Sequence, residues 1–369
     1  MDINKRNLNI IGMMSGTSMD GINATFVNSN GLSLKRYNIN CISTYSKETK
    51  NLLKETISNY KKFIKDVEMK EYLTKLITFD HFKAVQKICK QSKIKPDLIG
   101  FHGQTIYHNP NQKISIQLGD GQLLCNLSKT PVISNFRDND IHFGGQGAPL
   151  APIYHELLMK QLNLDEPSCF INIGGISNLT FYNKNQLLGF DTGPGNCLMD
   201  SYMQNIFGLE YDDKGSLASK GNVISNIKDL ILKLSNIDKN YPKSLDRKDF
   251  NDVLELVYNT KLNNSDVMAT FSEATYLSIL KSIKKLPETP KNITIMGGGS
   301  HNLFLMKKLK GLSEINIKVA TERNLPGDFI EAELIAFLSA RSLFNIPITF
   351  PETTGVNKPM IGGKKFTLN

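Results

Sequence analysis

Apolar positions along the first 45 residues fall into three dense runs, Leu8 to Met14, Ile22 to Asn28 and Leu32 to Thr44. Runs of that length, bounded by Gly, Asn and Ser, predict three strands. The first two are joined by SGTSMDG (15–21), which packs two glycines and three hydroxyls around one acid, as at a hairpin tip whose backbone must approach something closely. Helical periodicity then fills Lys47 to Ser92. A buried-type strand, Leu98 to Gly100, leads into FHGQTIYHNP, and Ile114 to Leu118 predicts a short strand before Gly119-Asp120-Gly121.

The second half repeats this arrangement. CFINIGGISNLTFY (169–182) reads as strand, Gly-Gly turn and strand, and Gln186 to Phe190 is a third strand ending in DTGPGNCLMD. Helices fill much of Asn196 to Ile283. ITIMGGGSHN is a strand whose triple-glycine turn starts a helix, and Phe329 to Leu343 is a strongly periodic final helix. Two halves that each present strand, Gly/Ser/Thr loop and strand predict an α/β protein of duplicated architecture, with its site expected in the cleft between two domains.

Composition narrows the class. A chain of 369 residues with 40% hydrophobic and 21% charged residues is ordinary for a soluble protein and long enough for two domains. No apolar run approaches a membrane span, and the N-terminal run lacks a following cleavage site, so the expected location is the cytoplasm. Five cysteines (41, 89, 125, 169, 197) without a CxxC pair argue against a disulfide framework or zinc ribbon. Six histidines show no HExxH spacing. The net charge of +9 comes from lysines spread among acids with no arginine-rich arm, which suits a solvated surface or an anionic small substrate better than nucleic acid.

Candidate chemistry sits in the glycine turns. Backbone N–H groups converging at a strand end can cradle phosphates, and a helix N-terminus adds a favourable dipole. Three places qualify: SGTSMDG (15–21), DTGPGN (191–196) and GGGS (297–300). Singly each is an ordinary turn; together, two of them with an acid beside the glycines, they point to a phosphate site. No GxxxxGK[ST] or GxGxxG occurs, which excludes a Walker-type or dinucleotide fingerprint.

GMMSGTSMDGI, FHGQTIYHNP, NFRDNDIHFGGQGAPLAP, NIGGISNLT, GFDTGPGNCLMD, PKSLDRKDF and MGGGSHN, with FIEAELIAFLSAR beyond, together resemble the anhydro-N-acetylmuramic acid kinases of the acetate kinase, sugar kinase, Hsp70 and actin superfamily. The resemblance implies two ribonuclease H-like (actin-like ATPase) domains around an interdomain cleft: residues 1–134 with about 345–369, and 135–344. It implies ATP and Mg2+, a sugar substrate and a homodimer, with no nucleic acid or membrane partner. Gly16, Thr17, Ser18, Met19, Asp20, Gly21, Ile22 and Asn23 would wrap the ATP phosphates, with Asp20 holding magnesium; the alternative for Asp20 is an Asx-turn acid. Gly193, Gly195 and Asn196 would form the second phosphate turn, and Gly297, Gly298 and Gly299 would admit the adenosine.

In the family the aspartate matching Asp191 is the general base. At a strand end it would project into the cleft, the alternative being a cap for the helix at Pro194. The implied reaction is water attack at C1 of 1,6-anhydro-N-acetylmuramic acid while O6 takes the γ-phosphoryl group, giving N-acetylmuramic acid 6-phosphate in cell-wall recycling. Arg137 would fork onto the lactyl carboxylate or else pair with Asp138 or Asp140. Gly145 and Gln146 would contact the sugar. His102 and Gln104, just past a strand end, would line the cleft or serve structure. On the last helix Glu331 matches a family active-site acid, and Glu333 is expected on the helix surface. Leu245-Asp246 stands where the family often has Thr-Gly, and Ile141-His142-Phe143 where small residues are common, which touches fine substrate contacts. The competing readings are a conventional sugar or carboxylate kinase and an actin- or Hsp70-like switch acting on proteins.

Overall fold

The computed structural model describes residues 6–368 except 17, 18, 20, 110, 111 and 185. The chain divides into two compact units, Met1–Leu157 with Phe329–Asn369, and Leu158–Asp328.

The first unit is built on a seven-stranded mixed sheet. Strands β1 (Leu8–Ser15), β2 (Ile22–Ser29) and β3 (Leu34–Ser43) form an antiparallel meander. On the other side of β1 lies β4 (Leu98–Asn109), parallel to it, with β5 (Ile114–Leu118) folded back antiparallel on β4. Strand β6 (Val132–Ser134) runs parallel to β4, and a short strand, Lys364–Phe366, pairs antiparallel with β6.

The apolar run of β1 is nearly continuous because both faces are covered. Ile11 and Met13 join Phe26, Ile99 and Phe101 in a core with Leu53 of helix α1 (Lys47–Ser58) and Ile77 and Ile88 of helix α2 (Val67–Ser92). Gly12, whose side would face the other way, meets the C-terminal helix Ile330–Leu343. A Cβ there would lie 2.1 Å from the Ala332 carbonyl oxygen, and one at Gly100 would lie 2.8 Å from that of Ile335. The helix backbone therefore rests directly on the sheet, as only glycine permits.

That contact explains where the units divide. Residues 135–157 and the C-terminal helix, expected in the second domain, belong to the first unit. Glu333 is tied to Arg36 of β3, and Arg341 Nη1 donates to the Gly31 carbonyl at 2.9 Å. The helical stretch 47–92 is also broken, because Asp66 caps a new helix by accepting the Met69 N–H.

The second unit repeats the topology. β7 (Ser168–Ile173), β8 (Ile176–Asn183) and β9 (Gln186–Pro194) make an antiparallel meander, and β10 (Asn292–Met296) and β11 (Asn316–Val319) continue parallel on the far side of β7. In both sheets three antiparallel strands are followed by two parallel ones, so the expected duplication is present and the fold is α/β with mixed sheets. The sheet core holds Ile171, Phe181, Phe190 and Ile293. A second cluster, around Tyr202, Phe250 and Phe271, packs helix α3 (Cys197–Phe207) against helix α4 (Asn264–Lys284).

Candidate active site

In the second unit the sequence places three glycine turns at strand ends, and the fold brings them to one place. The turn between β7 and β8, Gly174-Gly175, receives backbone donors from the turn after β9: Asn196 N–H to the Gly174 carbonyl at 2.7 Å, Gly195 N–H to the Gly175 carbonyl at 2.9 Å and Cys197 N–H to the same oxygen at 3.1 Å. A Cβ at Gly195 would sit 2.1 Å from the Gly174 oxygen, and one at Gly193 would sit 2.7 Å from the Ser278 side chain. The turn after β10 joins them. Gly297 has φ +80° and lies against Asn172 and Ile173, Gly299 lies against Ile173 and Asn196, and Gly298 has only Asn196 Nδ2 near it, at 3.4 Å.

Asp191 stands beside this cluster. Ser177 pairs with Gly193 and Asn178 with Asp191, so Thr192 is an extra residue that bulges β9 next to the acid. Bulges re-aim neighbouring side chains, and they recur beside active sites. Asp191 N–H donates to the Lys243 carbonyl at 2.9 Å, and Asp191 Oδ2 accepts the Leu245 N–H at 2.8 Å. Its carboxylate is thus buried, 9% exposed, and fixed by the segment 243–245. The strand runs on to Pro194, and Asn196 occupies the N-cap position of α3, so Asp191 neither ends the strand nor caps that helix.

Two residues of the same segment were not singled out from sequence, although PKSLDRKDF was. The Arg247 guanidinium lies over the Gly175 turn, so close that a Cβ on Gly175 would be 2.3 Å from its Nη2. Lys243 is buried, and its Nζ donates to the Ser235 and Asn236 carbonyls at 3.0 and 3.3 Å. Burial, helped by the charge of Lys285, lowers its pKa to about 8, with Asp191 pulling the other way.

In the first unit the β1–β2 hairpin pairs Ser15 with Ile22, so the tip is the loop read from sequence. Thr17, Ser18 and Asp20 lie outside the described residues. Of the others, Met19 has φ +61° and donates its N–H to the Gly16 carbonyl at 3.2 Å. Gly21 faces Ile42 and Ser43. Ile22 and Asn23 begin β2, where the Ile22 side chain is core.

Strand β4 does not end at Gly100 but runs to Asn109, so His102 and Gln104 are strand residues. The register gains a residue on β4 between the pairs Met13–Phe101 and Ser15–Gln104. This bulge falls at Gly103, with φ +77° and the Leu118 carbonyl oxygen 2.6 Å from where a Cβ would be. It turns His102 toward Arg137. His102 Nε2 accepts from Arg137 Nε at 3.2 Å and Nη2 at 3.0 Å, while Nδ1 meets the Gly103 carbonyl at 2.9 Å, which assigns the ring proton to Nδ1. Burial, reinforced by the Arg137 charge, lowers the His102 pKa to about 3, so the imidazole is neutral and accepts from the guanidinium.

Arg137 Nη1 also donates to the Gly147 carbonyl at 2.6 Å. Asp140, the expected alternative partner, accepts the Gly147 N–H and the Thr354 hydroxyl, both at 2.6 Å, and Asp138 accepts from Asn135. Gly145 is required by Asp140, whose Oδ1 a Cβ would meet at 2.1 Å, and Gln146 N–H donates to the Thr354 carbonyl. A cavity of about 360 Å³ opens beside His102, lined also by Lys70, Thr74, Gln117, Asn135 and Asp138.

Gln104 departs from the cleft-lining expectation, being fully buried beneath the hairpin tip. One glutamate of the last helix also differs from expectation. Glu331 is exposed in its first turn, whereas Glu333, expected at the surface, is 2% exposed. Its carboxylate binds Arg36 Nε at 2.7 Å and Nη2 at 2.9 Å and accepts the Tyr154 hydroxyl at 2.6 Å.

A family model described as anhydro-N-acetylmuramic acid kinase matches residues 8–367. The chain belongs to this family. A Pelagibacter ubique anhydro-N-acetylmuramic acid kinase is 40% identical over 96% of this chain and 96% of its own, and one from Zymomonas mobilis is 37% identical over 96% and 98%. Among solved structures, the Acidaminococcus fermentans (R)-2-hydroxyglutaryl-CoA dehydratase component A covers 90% of this chain and 98% of its own at 10% identity and a TM-score of 0.47, too remote to carry an inference. Membership of the anhydro-N-acetylmuramic acid kinase family makes the chain an enzyme and a kinase. No helix among the described residues is long and apolar enough to cross a membrane.

Proposed function

We propose that this kinase uses ATP to open and phosphorylate 1,6-anhydro-N-acetylmuramic acid, giving N-acetylmuramic acid 6-phosphate and ADP in bacterial cell-wall recycling in the cytoplasm. The observation that carries the reading is the Asp191 carboxylate, buried beside a strand bulge and held through its backbone and Oδ2 by residues 243–245. Asp191 takes a proton from water as the water oxygen attacks C1. The C1–O6 bond breaks, O6 attacks the γ-phosphorus, and the bond from that phosphorus to the β–γ bridging oxygen breaks to release ADP. The proton then leaves Asp191 for solvent.

Residues 16–23 of the hairpin tip, with Gly193, Gly195 and Asn196, bind the phosphates in this reading, and Gly297 to Gly299 admit the adenosine. Arg137, fixed by His102 and the Gly147 carbonyl, pairs with the lactyl carboxylate. Gly145, Gln146 and Glu331 complete the sugar contacts. Among the described residues no group of three His, Cys, Asp or Glu is placed to hold a metal. Asp20, which lies outside the described residues, would be the protein carboxylate for a magnesium ion carried in with the nucleotide. Such an ion would supply neutralisation of charge on the transferring phosphoryl group.

ADP release by the purified protein, with ATP and magnesium, tests the reading. Turnover is expected with the anhydro sugar and not with free N-acetylmuramic acid, and Asp191→Asn is expected to lower kcat by ~100-fold or more. Preference for the reducing sugar would replace this reaction with that of a conventional sugar kinase, and an active Asp191→Asn enzyme would remove the assigned base.

A further inference from the structure

The Gly16 carbonyl at the base of the β1–β2 tip accepts two hydrogen bonds, one from Met19 N–H and one from Gln104 Nε2 at 3.1 Å. Gln104 comes from β4, one residue past the bulge at Gly103, and is 0% exposed. Its Oε1 accepts from the Tyr45 hydroxyl at 2.9 Å, and its Nε2 also reaches the Thr105 carbonyl at 3.2 Å. Tyr45 is itself buried and adjoins Ser15, the last residue before the tip. Burial raises its pKa, so it keeps its proton and acts as a donor. A donor at Tyr45 fixes which end of the Gln104 amide faces it, and so turns the NH2 end toward Gly16.

We infer that Tyr45 and Gln104 are positioning residues for nucleotide binding, because they engage the Gly16 carbonyl in a hydrogen bond to a buried amide and so withhold it from a bound phosphate. A loop that takes a polyanion must present N–H groups and withhold carbonyl oxygens. Neither side chain needs to touch the nucleotide. The inference rests on the reading of the hairpin tip as the phosphate loop.

The test is calorimetric titration of the full chain with the magnesium complex of a non-hydrolysable ATP analogue, beside thermal unfolding and the KM for the anhydro sugar. Gln104→Glu replaces the donor with an oxygen facing the Gly16 carbonyl and is expected to raise the analogue Kd at least ~10-fold. Tyr45→Phe leaves the amide in place but unoriented, and its expected rise is about threefold, with sugar KM unchanged in both. Should Gln104→Glu fail to fold, Tyr45→Phe alone decides. A lower Tm with unchanged analogue Kd would make the pair merely structural and overturn the inference while sparing the nucleotide reading. Failure of the unsubstituted protein to bind the analogue would overturn both.

Discussion

The two sheets share one strand order, yet their first hairpin tips are finished in opposite ways. In the second unit the Gly174 and Gly175 carbonyls are capped by backbone N–H groups of residues 195–197, and Gly195 lies so close that no side chain fits. In the first unit the Gly16 carbonyl is held by a side-chain amide, and that amide is oriented by a tyrosine. One tip is thus closed by groups that no substitution removes, whereas the carbonyl of the other depends on two side chains that single substitutions can replace. A duplicated topology thus carries one backbone-capped tip and one side-chain-capped tip.

Acid should separate the units most. His81, His102 and His155 are buried in the first unit with pKa values lowered by burial to about 4, 3 and 3, and His108 follows at about 4. The second unit's histidine, His301, is exposed. A buried neutral imidazole with a depressed pKa is protonated first in the unfolded chain. Its contribution to stability is therefore complete above pH 6.5 and falls away as the pH drops toward the folded value. With an unfolded pKa of 6.5 each fully buried histidine loses about 1 kcal/mol between pH 6.5 and 5.5, so the three amount to about 3 kcal/mol. Amide exchange, corrected for its intrinsic pH dependence, should show protection falling in residues of the first unit before the second. Equal loosening would break the distinction.

Gly195→Ala attacks the backbone-capped tip. The new methyl would meet backbone oxygens of both Gly174 and Gly175, which cannot swing aside, so a loss of about 3 kcal/mol in urea unfolding is expected. Unchanged stability would mean that the tip can open. Gly103→Ala attacks the bulge that carries His102 and Gln104. Its positive φ and the Leu118 oxygen predict about 2 kcal/mol, smaller because a bulge has more room to relax.

The sequence was readable where a local rule decides the outcome. Both meanders, the hairpin tip and the final helix follow from apolar runs bounded by glycine turns. The bulges were not, since a glycine such as Gly103 marks a strand end as well as a break in register, and only the pairing of β4 with β1 and β5 separates the two. For the same reason His102 and Gln104 seemed to lie beyond a strand. Glu333 could not be recognised as buried, because its partners Arg36 and Tyr154 are distant in sequence. Removing one member of that ion pair is expected to cost about 3 kcal/mol, as an isolated buried charge does. Arg247 stood in a quoted motif, but nothing local indicates that it covers the Gly175 turn. Family resemblance supplied what periodicity lacks: the proposal of Asp191, among several acids beside glycines, as the base.

The smallest stability effect is also the sharpest probe of the triple-glycine turn. Gly297 and Gly299 are demanded by packing, since a Cβ at either would come within 2.3 Å of Asn172 or Ile173. Their replacement would disturb the fold whatever they bind. Gly298 differs, because a Cβ there meets Asn196 Nδ2 at 3.4 Å, an ordinary contact. Gly298→Ala is therefore expected to leave Tm within about 1 °C, in keeping with a change below ~0.5 kcal/mol. If adenosine approaches this turn, the same methyl should still raise the KM for ATP several-fold while sparing that for the sugar. Unchanged kinetics for both substrates would leave these glycines with packing as their whole role and move the nucleotide base elsewhere.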